Sequence, residues 1–199
     1  MINNISKKMV DRLLRKKMIE QEDYEIYLFG LSQLLVTLLD LITCVAIGII
    51  FHSLLQTILF LVAFMLLRSC AGGYHASTPL RCYLLTVCMI TVVVATLKYI
   101  EWNVWILLGM LIGAGVIILL LAPVDTENKP IDGVEYVYFR KMTIRVLFIE
   151  VLLAIVCIVF RFRDGAESIV VAMVVLAVAL CCEISKKERN ECYRTEWKF

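Results

Sequence analysis

Val104-Trp105-Ile106-Leu107-Leu108-Gly109-Met110-Leu111-Ile112-Gly113-Ala114-Gly115-Val116-Ile117-Ile118-Leu119-Leu120-Leu121-Ala122 carries no charged side chain from end to end. At about 1.5 Å of rise per residue, a helix of that length crosses a hydrocarbon core of roughly 30 Å. Outward from it lie five further apolar runs, at 26–51, 54–67, 83–97, 146–160 and 168–182. The run at 54–67 is short and must be extended at both ends to span. The chain is 61% hydrophobic with a mean hydropathy of +0.86, against about 45–50% apolar residues in soluble domains. The expected fold is therefore all-α: a polytopic membrane protein of six transmembrane helices, preceded by an amphipathic interfacial helix.

That helix is expected within residues 1–25. Ile2, Ile5, Met9 and Leu13 recur at steps of three and four, the spacing of one helical face. Lys7, Lys8, Arg12, Arg15, Lys16 and Lys17 suit anionic headgroups. Packing of the same face on the protein's own cytosolic side accounts for the pattern equally well. This segment is charged and lacks the apolar core of a cleavable signal peptide. The six-helix domain follows at 26–184, with loops at 68–82 and 123–145, and then a basic tail at 185–199.

Seventeen of the 20 Lys and Arg residues fall in 1–25, 68–82, 123–145 and 185–199; the alternate turns hold three. The positive-inside rule then puts both termini and both large loops in the cytoplasm, and the chain in the cell membrane. A formal net charge of +2 is too near neutral to imply nucleic acid. Cys44, Cys88, Cys157, Cys181 and Cys182 lie in apolar runs, where thiols behave as small hydrophobes, so no disulfide framework is expected. Asp40 and Gln33, inside the first run, must face the protein interior or water. Gly109-x3-Gly113 has the spacing that lets membrane helices approach closely, which allows a homodimer.

The most polar interruption is Arg68-Ser69-Cys70-Ala71-Gly72-Gly73-Tyr74-His75-Ala76-Ser77-Thr78-Pro79-Leu80-Arg81-Cys82. Thr78-Pro79 reads as N-cap and first residue of the following helix, which puts Cys82 near the positive end of its dipole. That field and the neighbouring Arg81 favour a thiolate, the nucleophilic form of cysteine. His75 is placed to take the thiol proton and return it to a leaving amine. Gly72 and Gly73 allow the chain to turn back, and Arg68 suits a substrate carboxylate or Asp40. Taken alone, these residues fit equally a solvated histidine and a packed cysteine. Cys70, His75 and Cys82 as zinc ligands would have an uncommon spacing and no evident fourth ligand, so no metal or cofactor is expected.

Arg68-x3-Gly72-Gly73-x-His75-Ala76-x5-Cys82 resembles the signature of the AgrB family, the accessory gene regulator B membrane endopeptidases of Gram-positive quorum sensing. Ala122-Pro123-Val124-Asp125-Thr126-Glu127-Asn128-Lys129-Pro130-Ile131 is similar to the family's loop with Ala-Pro and Lys-Pro-Ile elements, and Phe29-Gly30-Leu31-x-x-Leu34-Leu35 adds a weaker similarity. The resemblance implies a cysteine endopeptidase with Cys82 as nucleophile and His75 as base. Its implied partner is an AgrD-type precursor peptide, cut near its C-terminus and cyclised to a thiolactone or lactone. Lys129, Arg140, Lys141 and Arg145 would offer a basic surface to the acidic end of such a precursor. A small transporter, with Asp40, Gln33 and Arg68 along a polar path, and a non-enzymatic membrane scaffold are the other readings of the same chain.

Overall fold

A computed structural model describes residues 2–16, 18–72, 79–124 and 133–196. Among the described residues all regular structure is helical. The helices are α1 (Ile2–Arg15), α2 (Tyr24–Ile50), α3 (Leu54–Ala71), α4 (Pro79–Tyr99), α5 (Val104–Leu121), α6 (Gly133–Val159) and α7 (Arg163–Glu196). All but α1 contain a stretch long and apolar enough to cross a membrane, so the chain is a multi-pass membrane protein.

Two boundaries differ from the sequence expectation. Residues 133–145, expected within a loop, are the first turns of α6, so Arg140, Lys141 and Arg145 stand on a helix. Beyond Gly133 neither glycine nor proline interrupts the chain before Gly165, and Glu, Arg, Lys and Met all tolerate helix well. Likewise α7 runs through the charged tail to Glu196, where Lys- and Glu-rich sequence continues the helix without a stop signal. The short run at 54–67 does gain its missing turn, ending at Ala71.

The bundle is organised around α7. From Gly165 to Met173 every residue is buried, and Val170, Met173, Leu176 and Leu180 are completely enclosed. A helix apolar on all sides belongs at the centre of a membrane bundle, and α3, α4, α5 and α6 all pack against it. At the end away from residues 71 and 124, polar contacts lock this arrangement. Gln56 donates to the Asp164 carboxylate at 2.8 Å, the Ser168 hydroxyl lies 3.1 Å from the Gln56 carbonyl oxygen, and Arg163 pairs with Glu167 at 3.6 Å.

Helix α2 is outboard and reaches the bundle through α3 and α4. Only one stripe of its middle and far half is turned inward: Asp40, Thr43, Cys44, Ile47 and Gly48, spaced at three and four residues, are buried or half-buried while Leu38, Leu39, Leu41 and Ile42 are exposed. Gln33 is exposed as well. It stands seventeen residues before Ile50, or about 26 Å along the helix, on the outer surface of the bundle rather than on an interior path. On the near half, α1 docks against α2, with Tyr24 donating to Asp11 at 2.9 Å. From residue 6 onward, Ser6 and Val10 are the buried residues of α1, whereas Met9, expected on the apolar face, is exposed.

The α2–α3 hairpin depends on close approach at Gly48. A Cβ there would lie 2.7 Å from Thr57 Oγ1 and 2.9 Å from Thr57 Cβ. Thr57 is buried and its hydroxyl already donates to the Ser53 carbonyl at 2.9 Å, so it has little room to yield. Gly48→Val should destabilise the protein by about 1–3 kcal/mol, the usual cost of overpacking. Thermal unfolding in detergent micelles should show a lower midpoint, partly restored by adding Thr57→Ala.

Candidate functional site

Helix α3 ends in glycine for two reasons. Gly72 has φ +81°, and its N–H closes the helix on the Arg68 carbonyl at 3.1 Å. A side chain at that position would be strained by the left-handed backbone, and its Cβ would also sit 2.9 Å from the Val124 carbonyl oxygen. Val124 in turn donates its N–H to the Ala71 carbonyl at 3.2 Å. The two polar motifs, about fifty residues apart in sequence, therefore meet backbone to backbone at one end of the bundle.

Arg140 fastens this junction from α6. Its guanidinium donates to the Ala122 carbonyl at 2.6 Å and to the Leu119 carbonyl at 3.2 Å. These are carbonyls at the end of α5, which the helix itself leaves without N–H partners. Ala122, Pro123 and Val124 are buried beneath it. Arg140, expected to face substrate, thus commits two donors to the frame of the loop. Lys141 and Arg145, on the same helix, are exposed.

Pro79 is the first residue of α4, as its chemistry dictates, and Cys82 is the fourth. The Cys82 thiol is free and half-buried, and its carbonyl accepts from the Thr86 hydroxyl at 3.0 Å. The next residue ties the helix start to α2, with the Tyr83 hydroxyl 3.1 Å from Thr43 Oγ1. Thr43 spends its own hydrogen on the Leu39 carbonyl at 2.8 Å, so Tyr83 is the donor. Thr43 stands only seven residues from Ile50, at the far end of α2, so the start of α4 is recessed within the depth that α2 spans.

Arg68 rests on the Phe64 ring, 5.5 Å from its centroid, and its charge also acts on Asp40. One carboxylate oxygen of Asp40 is buried with no hydrogen-bond partner. His75, Gly73 and Lys129 lie outside the described residues. Cys70, near the end of α3, is half-buried with its sulfur 3.6 Å from the Ser69 hydroxyl. Among the described residues no three His, Cys, Asp or Glu side chains converge as metal ligands. Sequence reasoning passed over Thr43 and Tyr83. The available signal was Thr43 itself, a polar residue one turn beyond Asp40 on the same face of an apolar helix. It also passed over Glu150, buried in α6 with neither carboxylate oxygen bonded.

Residues 3–184, nearly the whole of this framework, match the family described as Accessory gene regulator B. The chain belongs to the AgrB family. A Clostridium perfringens SM101 relative, named only provisionally as an AgrB-like protein, is 28% identical over 92% of this chain and 90% of its own length. A second such protein from Clostridium perfringens strain 13 is 26% identical over 83% of this chain and 81% of its own. One from Listeria monocytogenes strain F2365 is 32% identical over 66% of each chain. No solved structure matches the chain. In this AgrB-family protein the chain leaving α3 and the chain leaving α5 are joined where Ala71 and Gly72 meet Val124. Gly72→Ala should separate Val124 from α3 and lower the thermal midpoint. Arg140→Gln, removing the clamp on Leu119 and Ala122, should destabilise by about 1–3 kcal/mol, measured by thermal unfolding in detergent.

Proposed function

We propose that this AgrB-family chain is a membrane cysteine endopeptidase that processes an AgrD-type precursor and promotes its cyclisation. The observation that carries this reading is the free, half-buried Cys82 thiol, one turn into α4 at the start of its apolar spanning stretch. The joined loop motifs support the reading, because they lie at the end of the bundle from which α3 and α5 emerge. Cys82 Sγ attacks a backbone carbonyl near the C-terminus of the precursor while His75 takes the thiol proton. The tetrahedral adduct collapses, and His75 returns that proton to the departing amine. The acyl group is then held as a thioester on Cys82, with the C-terminal fragment released. A thiol or hydroxyl inside the precursor attacks this thioester, closing a thiolactone or lactone and regenerating the Cys82 thiol.

One thioester replaced by another changes little in free energy, so ring closure depends on excluding water from the intermediate. Placement of the α4 start against the inward stripe of α2 favours that exclusion. Arg68, Lys129, Lys141 and the remaining donors of Arg140 form the basic group that receives the acidic part of the precursor, with Gly72 and Gly73 shaping the turn beside it. The positive-inside distribution supports placing this end, and both termini, at the cytoplasmic face of the membrane; family membership implies the cell membrane of a Gram-positive bacterium. Gly109 and Gly113 face open space, beside an apolar groove of about 780 Å³ between α5 and α7; a second copy would pack on this face.

Co-expression with the precursor, followed by mass spectrometry, tests the reading. Cys82→Ala and His75→Ala should each reduce cleavage below detection, at least 100-fold, while Cys70→Ser should process normally. Full processing by Cys82→Ala protein would falsify the proposal. In a variant that keeps Cys82 as its sole cysteine, a membrane-impermeant maleimide should label inverted vesicles and leave intact cells unlabelled.

A further inference from the structure

A peptidase nucleophile must point in one direction, yet α4 is held in lipid, where apolar side chains slide past one another without losing contact with an apolar medium. Something has to fix the rotation of α4 about its own axis, since each residue of slip turns the thiol by about 100°. A side-chain hydrogen bond joins the first turns of α4 to another helix, from the Tyr83 hydroxyl to Thr43 Oγ1 at 3.1 Å. Tyr83 is the residue next to the nucleophile. Thr43 is itself oriented, because its hydrogen is committed to the Leu39 carbonyl at 2.8 Å and its lone pairs are left facing α4. β-branching further restricts its χ1. The acceptor is therefore preset before α4 packs against it.

From this geometry we infer that Thr43 is a positioning residue for the Cys82 nucleophile, acting through the Tyr83 hydroxyl to fix the rotation of α4. The inference rests on the peptidase reading. Asp40 and Cys44 share the α2 stripe with Thr43, and Arg68 approaches it from α3; neither Asp40 nor Cys44 supplies a hydrogen bond to α4 among the described residues. Other rotational constraints on α4 are steric, through Ile90, Val93, Val94 and Leu97, which are buried in the later turns. The latch thus acts at the end where the thiol is, and the core fixes the other end.

Loss of the latch should impair chemistry while leaving the fold in place, because a small misplacement of a reacting group costs about 100-fold in rate. Thr43→Val and Tyr83→Phe should each lower kcat for precursor cleavage at least tenfold with KM within twofold of the unmodified protein. Thr43→Ser, which keeps the hydroxyl, should recover kcat. The double variant should be no slower than either single one, as expected when both remove the same interaction. A second measurement is independent of cleavage: in variants with Cys82 as sole cysteine, the rate of alkylation by iodoacetamide should change at least threefold with Thr43→Val and return with Thr43→Ser. Unchanged alkylation and kcat in Thr43→Val, or effects of the two single variants that simply add, would overturn the latch. Cleavage that survives Cys82→Ala would instead overturn the peptidase reading, and the alkylation rates would still decide the latch.

Discussion

In hydrocarbon an apolar side chain gains little by leaving its solvent, so α3, α4, α5 and α6 stay together through fit around α7, and α2 through α3 and α4. That constraint explains the composition of α7. Ala166, Ala172 and Ala177 let neighbouring backbones come close, while Met173, Leu176 and Leu180 fill the remaining gaps. Polar groups at the far end then fix axial position, since Gln56, Asp164 and Ser168 can all be satisfied in one register of α3 against α7. The helix that carries no chemistry is the one against which the others are aligned.

The opposite end meets a different demand. Backbone donors and acceptors released at helix ends must find partners where little water reaches. Three elements share that burden there: Gly72 lets α3 end tightly, Val124 answers the Ala71 carbonyl, and Arg140 answers the end of α5. The ends of α3 and α5, from which two separate motifs depart, thereby share one joint. Arg140 shows how a residue can belong to a basic surface by composition and to the backbone frame by geometry.

Much of this was legible before any coordinates. Apolar run length defined the six spans, Thr78-Pro79 marked the start of α4, and the motif around Gly72 and Cys82 pointed to the AgrB family. Other features were not legible, for physical reasons. Residues 133–145 are charged enough to resemble a loop, but charge does not oppose helix where the helix emerges from lipid. Met9 and Val10 are equally apolar, and only docking on α2 decides which is covered. The bond between Thr43 and Tyr83 joins residues forty apart in sequence, and no periodicity announces such a pair. Glu150 is hidden in an otherwise apolar run, where averaging along the chain suppresses it.

The clamp formed by Arg140 has a consequence for how such chains can diverge. The strand of chain leaving α5 is gripped at Ala122 and Val124, and the grip comes from residues on both sides of the segment 125–132. Its two ends are therefore held in place whatever the intervening residues are. Lengthening a tethered segment raises closure entropy only logarithmically, by about 0.6 kcal/mol per doubling. Added length between Val124 and Gly133 therefore carries little closure cost, whereas a single exchange at Gly72 or Arg140 breaks the hold itself. The scaffold separates a stretch whose length bears little on stability from the two residues that hold its ends.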